Sequence, residues 1–122
     1  MIIAGLGFAT LVSPENLTAL VRRAQHELGQ AAEALAAPDF KQHASLRAAA
    51  HALGLPVLFI PRPALALAQP RCQTFSTRAS TATGLASIAE ACALAAAGAQ
   101  SHLLLPRITQ GRASCALAGC GT

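Results

Sequence analysis

Short uncharged apolar runs alternate along this chain with stretches whose apolar residues recur at helical spacing. The run over 2–7 ends in glycine and predicts a buried first strand. A helix is predicted over 14–28, because Ser13 and Pro14 form a typical helix start and Gly29 a typical helix end. Strand–helix alternation with short connections is typical of a layered α/β domain.

The later segments continue the alternation. The segment over 31–37 fits either a helical turn or a short strand, and Pro38 ends it in both cases. The remaining predicted elements are a helix over 45–53, a strand over 57–60, a short helix over 63–68, a polar loop over 71–83, a helix from Ser87 to Gly98, and strands over 103–105 and 113–118. The sequence therefore predicts one domain over 1–122, a single three-layer α/β/α domain with a small, mostly parallel or mixed sheet.

The apolar content of 53% does not come with a membrane-spanning pattern. The longest nearly uncharged stretch, 79–106, contains Glu90, two glycines and several polar residues, whereas a spanning helix needs about 20 consecutive apolar residues. A secretory signal would need positive charge before its apolar region, and no positively charged side chain precedes the first apolar run of this chain. We therefore expect a cytoplasmic protein without membrane contact.

The cysteines and histidines fit no metal template. The closest cysteine pair, Cys115 and Cys120, has four residues between its members and no histidine after it. In a cytoplasmic protein we expect free, buried thiols. No metal and no cofactor are predicted.

The net charge of +4 raises the question of nucleic acid, but the pattern of the cations disfavours it. Eight arginines and one lysine are spread along the chain, without interleaved stacking aromatics or a known nucleic-acid-binding motif. An RNA-binding module is thus a remote alternative. The excess of arginine over lysine suits recognition of carboxylates, although high-GC coding produces the same bias.

Three places are candidate ligand sites. Gly5 and Gly7 suggest the start of a dinucleotide fingerprint, but the third glycine is missing, so a tight strand exit is the favoured interpretation. Gly84 and Ser87 lie at a predicted helix start, where amide N–H groups bind anions. Ser87 and Glu90 also form a capping box, which would use some of the same donors and is the favoured interpretation, although both can hold if the remaining amides face a cleft.

The third candidate is a group of cations, Lys41, Arg107 and Arg112, near predicted strand ends. Ordinary solvated side chains are the favoured interpretation of these residues taken by themselves. A catalytic constellation is not predicted, since no serine lies in a nucleophile elbow and the chain has only five carboxylate side chains.

Four stretches in order along the chain together resemble the CobE/CbiG C-terminal family of cobalamin biosynthesis. They are IIAGLG (2–7), DFK (39–41), TGLASIAEACAL (83–94) and GRASCALA (111–118), of which the third is the most specific. The length resembles stand-alone members of the family more than the larger ones. Two positions depart from the family pattern: an arginine pair after Gly7 is absent, and Phe75 replaces the proline of a Thr-Pro-Ser step.

The resemblance implies an α/β/α domain that acts on corrin-ring intermediates. The expected partner is a tetrapyrrole, a precorrin or hydrogenobyrinic-acid-type intermediate of the aerobic pathway, with other enzymes of the pathway as further candidates. By resemblance the ligand-binding residues include Lys41, Ser76, Gly84 and Arg107. An enzyme that hydrolyses or rearranges a corrinoid, as in CbiG-type lactone opening, is the alternative, with water activated by Asp39 or His43.

Overall fold

A mixed five-stranded sheet forms the middle layer of the molecule. The computed structural model describes residues 1–9, 11–40, 43–73 and 88–120, with Cys120 described by its backbone alone. The strand order is β3-β2-β1-β5-β4; β1, β2 and β3 are parallel, and β5 runs antiparallel to both of its neighbours. The strands are β1 (Ile2–Phe8), β2 (Ala34–Pro38), β3 (Val57–Ile60), β4 (Ser101–Gln110) and β5 (Ala113–Cys120).

Four helices cover the two faces of the sheet. They are α1 (Pro14–Leu28), α2 (Ala44–Leu53), α3 (Arg62–Ala68) and α4 (Ile88–Ala97), with a 3₁₀ turn over Gln69–Arg71 after α3. The Ser13 hydroxyl accepts a hydrogen bond from the Asn16 amide at 3.1 Å, and Gly29 ends α1 with a φ of 78°. These are the start and end that the sequence predicts for this helix.

Two separate cores form because successive strand residues point to opposite faces. Leu6, Leu35 and Leu117 pack under α1 and α2. Ile3 and Ala118 pack on the other face, under α3 and α4. The predicted α/β class and its three layers are confirmed.

Most predicted elements are present, and the differences have physical causes. The ambiguous segment over 31–37 is a strand, because Ala34–Pro38 is buried on both faces between β1 and β3. The strand predicted over 103–105 is longer, because β4 is an edge strand that exposes His102 and Pro106 and so lacks a continuous apolar run. Most of the loop predicted over 71–83, and Ser87 of the capping box, lie outside the described residues.

Among the residues that the structure describes, no helix is long and apolar enough to cross a membrane. In the same part of the chain no three His, Cys, Asp or Glu side chains are grouped as a metal ion would require. Cys92 and Cys115 carry free thiols and are buried, and Cys72 is half-buried.

Candidate ligand-binding site

One edge of the sheet collects most of the chemistry in the chain. Since β1, β2 and β3 are parallel, all three end at this edge, and β4 ends there as well because both β1 and β4 run antiparallel to β5. The α4 helix also begins there, with Ile88 beside Gly7. We call this the carboxyl edge, the end at which open α/β sheets bind ligands.

The two glycines of β1 have different neighbours. A Cβ atom on Gly5 would overlap the carbonyl oxygen of Ala89 and would lie 2.5 Å from the amide nitrogen of Ala93. Gly5 is buried, so the structure places it under α4, where it permits close helix–sheet packing, rather than in a cleft. The favoured strand-exit interpretation also differs from the structure, because β1 continues through Phe8.

Gly7 lies two residues nearer the carboxyl edge and is half-buried. A Cβ atom there would lie 3.1 Å from the Ser114 hydroxyl oxygen and 3.3 Å from Cβ of Ile88. Ser114 is the antiparallel partner of Gly7, and its hydroxyl donates a long hydrogen bond of 3.4 Å to the Gly7 carbonyl. Gly7 therefore joins the ends of β1 and β5 to the start of α4.

Arg112 lies in the turn between β4 and β5 and is exposed. Its carbonyl accepts a hydrogen bond from the Ala9 amide at 2.9 Å. This bond ties the backbone of Arg112 to the segment that follows β1. The structure thus brings Arg112 and Gly7, two of the predicted binding residues, to the same corner of the sheet.

Arg107 is held at this side of the molecule through its backbone. Its amide donates to Oε2 of Glu90 at 3.0 Å, and the Gln73 amide donates to Oε1 of the same carboxylate at 2.8 Å. The ladder between β4 and β5 shifts register between Leu105 and Ile108, so the Arg107 amide bonds to Glu90 at an irregularity of the ladder. A fully buried carboxylate therefore fixes the backbone of a predicted ligand-binding residue.

Sequence reasoning assigned Glu90 to a helix cap and missed its contacts with Gln73 and Arg107. The available signal was a single charged residue between apolar neighbours in α4, where five of the six residues from Ala89 to Leu94 are apolar and all six are buried. A buried carboxylate needs hydrogen-bond donors, but the sequence does not show which segments supply them.

Two aromatic contacts at the carboxyl edge were also missed. The Phe8 ring meets His43 edge-on, with ring centroids 6.2 Å apart and an interplanar angle of 74°. The Arg62 guanidinium carbon lies 4.5 Å from the centroid of Phe40, whose exposed fraction is 40%. Both phenylalanines follow or end strands, and no periodicity in the sequence predicts which side chains they meet.

His43 caps α2. Its Nδ1 accepts a hydrogen bond from the Ser45 amide at 3.1 Å, so in the neutral ring Nε2 carries the proton. A histidine in this state has no free ring nitrogen with which to accept a proton from water. Asp39, the other residue predicted to activate water, is exposed on the turn after β2.

The described thiols are poor nucleophiles. Burial is the main reason that the pKa of Cys72 rises to about 11, and nearby Glu90 adds to the effect. Burial also raises the pKa of Cys115 to about 12 and raises that of Cys92. Since the thiolate is the reactive form, these side chains serve as small apolar groups at neutral pH.

Four of the predicted binding residues, Lys41, Ser76, Gly84 and Ser87, lie outside the described residues. The residues that flank them do lie at this edge. Lys41 follows Phe40, and the segment over 74–87 is bounded by Gln73, which bonds to Glu90, and by Ile88, which packs beside Gly7.

A groove of about 400 Å³ runs between α1 and α2 on the outer surface of the helix layer. Its lining is mostly small or apolar, with Glu15 and Arg22 as its charged residues. The residues brought together at the carboxyl edge are absent from this lining. We favour the edge over the groove, because the edge combines cations, exposed aromatic surface and a helix start.

Fold and edge together define a small α/β/α domain whose sheet presents cations and aromatic side chains at one edge. The sequence matches the family described as Cobalamin synthesis G C-terminus over residues 2–118. The chain belongs to this family, the C-terminal domain of CbiG, and is a protein of cobalamin biosynthesis. No curated protein matches the sequence significantly.

Solved structures agree with this membership. CobE, a protein from the cobalamin (vitamin B12) biosynthetic pathway, is 38% identical with a TM-score of 0.90, over 97% of this chain and 89% of CobE. The cobalamin biosynthesis protein ChiG from Agrobacterium tumefaciens str. C58 is 31% identical with a TM-score of 0.81, over the whole of both chains. A cobalamin biosynthesis protein G homolog from Sulfolobus solfataricus shares the fold at 17% identity and a TM-score of 0.66, over 96% of this chain and 36% of its own.

Proposed function

We propose that this protein binds a precorrin or hydrogenobyrinic-acid-type intermediate of the aerobic pathway at the carboxyl edge. The observation that carries the proposal is the anchoring of Arg107 to buried Glu90 in the first turn of α4. Arg107 lies three residues before the end of β4, next to the edge that presents Arg112 and Gly7. Corrin intermediates bear several carboxylate side chains on a large apolar ring. Arginine guanidinium groups recognise carboxylates through paired, charge-assisted hydrogen bonds.

The apolar part of such a ligand has partners at the same edge. Phe40 exposes a large part of its ring, and Phe8 is half-buried at the end of β1. Ligand sites commonly combine apolar walls with a few polar groups that fix orientation. This combination supports a corrinoid over a small, fully polar anion.

Binding, rather than hydrolysis, is the function that the geometry supports best. The hydrolytic alternative needs a base that can take a proton from water. His43 uses Nδ1 to cap α2 and holds its proton on Nε2, and exposed Asp39 remains the other candidate. The same experiment distinguishes the two functions.

The test is a titration of the purified protein into hydrogenobyrinic acid, followed through the visible spectrum of the ligand. We expect a spectral shift, co-elution of ligand with protein, and recovery of unchanged ligand after incubation. The chain contains no Trp and no Tyr, which leaves the near-ultraviolet bands of the ligand unobscured. Absence of both shift and co-elution would contradict the proposal, and a changed ligand would favour the hydrolytic alternative.

Arg107→Ala tests the site itself. The Glu90 bond uses the backbone amide of Arg107, so the substitution leaves that bond in place and removes only the side chain. We expect affinity to fall about tenfold, as for loss of a charge-assisted hydrogen bond. Arg22→Ala, an exposed cation of α1, is the matched control and should bind within about twofold of wild type.

A further inference from the structure

Phe40 and Arg62 form a cation–π pair at the carboxyl edge. Phe40 comes two residues after β2, and Arg62 opens α3 after β3. Because β2 and β3 are parallel neighbours, their ends bring the two side chains together, with the guanidinium carbon 4.5 Å from the ring centroid. The pair belongs to neither of the two buried cores.

Packing does not explain why a phenylalanine is exposed at this position. Phe40 is one of four phenylalanines in the chain, and 40% of its surface is exposed. An exposed cation–π pair contributes little to stability compared with a buried aromatic side chain. The pair does offer a flat, positively charged guanidinium group beside the exposed aromatic ring of Phe40.

The position of the pair complements the arginines already described. β3 and β4 are the two outer strands of the sheet, with Arg62 directly after Pro61 at the end of β3 and Arg107 on β4. At about 4.8 Å between neighbouring strands, the five strand ends span roughly 19 Å. Cations thus lie near both ends of the carboxyl edge, and aromatic side chains lie between them.

We propose that Phe40 and Arg62 form a second subsite, which stacks against the conjugated ring of the ligand while Arg62 binds one of its carboxylates. This inference rests on the proposed function and names the residues that select a flat, conjugated ligand. A guanidinium group can stack on a π-system and donate in-plane hydrogen bonds at the same time. An ammonium group offers the charge without the flat surface.

Four variants, titrated with hydrogenobyrinic acid beside wild type, test the subsite. Arg62→Ala removes charge and stacking, and we expect affinity to fall at least tenfold. Arg62→Lys keeps the charge, so affinity should fall less, about threefold to fivefold. Phe40→Leu keeps an apolar side chain and should also weaken binding several-fold. Arg22→Ala is the charge-matched control and should change affinity by less than about twofold.

Salt dependence separates stacking from charge. Phe40→Leu should weaken binding equally at low and high salt, whereas Arg62→Ala should also reduce the dependence of affinity on salt. Circular dichroism and the thermal midpoint should stay close to wild type, because both side chains lie outside the cores.

The outcomes distinguish the two proposals. If wild type binds the corrinoid while Arg62→Ala and Phe40→Leu bind it as tightly, the subsite is wrong and the proposed function stands. If Arg62→Lys binds as tightly as wild type, the charge alone accounts for the effect of Arg62→Ala and stacking by Arg62 is wrong. If wild type shows no binding, the proposed function is wrong and the subsite with it.

Discussion

At Gly5 the α4 helix comes closer to the sheet than any side chain would allow. The backbone of Ala89 and Ala93 fills the space in which a Cβ atom would lie. The small residues of α4 and β5 make this approach possible, which gives the high alanine content of the chain a structural role. The sequence marks Gly5 as part of a glycine pair, but the two helix residues that contact it, Ala89 and Ala93, follow it by 84 and 88 residues along the chain.

Gly5→Ala should therefore destabilise the protein strongly. Its methyl group would meet backbone atoms, which cannot rotate away, so we expect the free energy of unfolding to fall by about 3 kcal/mol or more. Gly7→Ala is the control, because its methyl group would meet the side chains of Ser114 and Ile88 at 3.1–3.4 Å. Urea unfolding checks both variants. Equal urea midpoints for Gly5→Ala and Gly7→Ala would show that α4 can move away from β1.

At the scale of one element, α4 is held by a polar contact near each end. Glu90, in its first turn, accepts from the amides of Gln73 and Arg107. After the last turn, Arg71 donates to the carbonyls of Gly98 at 3.3 Å and Ser101 at 2.7 Å. The segment over 71–73 therefore runs alongside the helix and is fixed at both ends. This arrangement places Gln73 beside the first turn of the helix.

Glu90→Gln should loosen this arrangement. The amide NH₂ group would face one of the two backbone N–H donors, so we expect the free energy of unfolding to fall by about 1–3 kcal/mol. Amide hydrogen exchange at Gln73 and Arg107 should accelerate, a local change that a general loss of packing would not confine to these two residues.

Glu33→Gln, an exposed carboxylate before β2, is the matched control for this variant and should change stability by less than about 0.5 kcal/mol. If Glu90→Gln keeps both stability and amide protection, then Glu90 is not what holds Arg107 in position.

Elements with strong local signals are predictable from this sequence, and contacts between distant elements are not. The start and end of α1 follow from Ser13 and Gly29, and β3 follows from a short apolar run between prolines. The full length of β4 does not, because an edge strand carries polar residues and a register shift. Phe40 with Arg62 and Glu90 with Arg107 meet only through tertiary structure.

At the scale of the whole molecule, the parallel pairing of β1, β2 and β3 brings the residues of the candidate site to one edge of the sheet. The three parallel strands β1, β2 and β3 end at the same edge, so Phe8, Phe40 and Arg62 lie at neighbouring strand ends. Along the chain these three residues are spread over more than 50 positions. Sequence alone placed cations near strand ends but could not rank them, because strand order decides which ends are neighbours. The family resemblance added the ligand class that we propose, which the strand pattern by itself does not indicate.

Stability at high pH also belongs to the whole molecule, because buried thiols lie in both cores. Cys115 lies in the core under α1 and α2, and Cys92 lies in the core under α3 and α4. A thiol whose pKa is raised on folding favours the folded state only while it stays protonated. The contribution of such a thiol to the free energy of unfolding is therefore complete below the ordinary pKa of 9.0. It is lost as the pH rises toward the pKa in the folded protein, which is about 11 for Cys72 and about 12 for Cys115.

Unfolding in urea between pH 8 and pH 11 should show a midpoint that is flat at first and falls above pH 9. Each fully buried thiol adds a slope of up to about 1.4 kcal/mol per pH unit. The chain has no Tyr and a single lysine, so few other groups titrate in this range. Cys115→Ala should make the slope shallower, whereas Ile3→Val, which also truncates a core side chain, should lower stability and leave the slope unchanged. An unchanged slope in Cys115→Ala would mean that this thiol ionises as easily in the folded protein as in the unfolded chain.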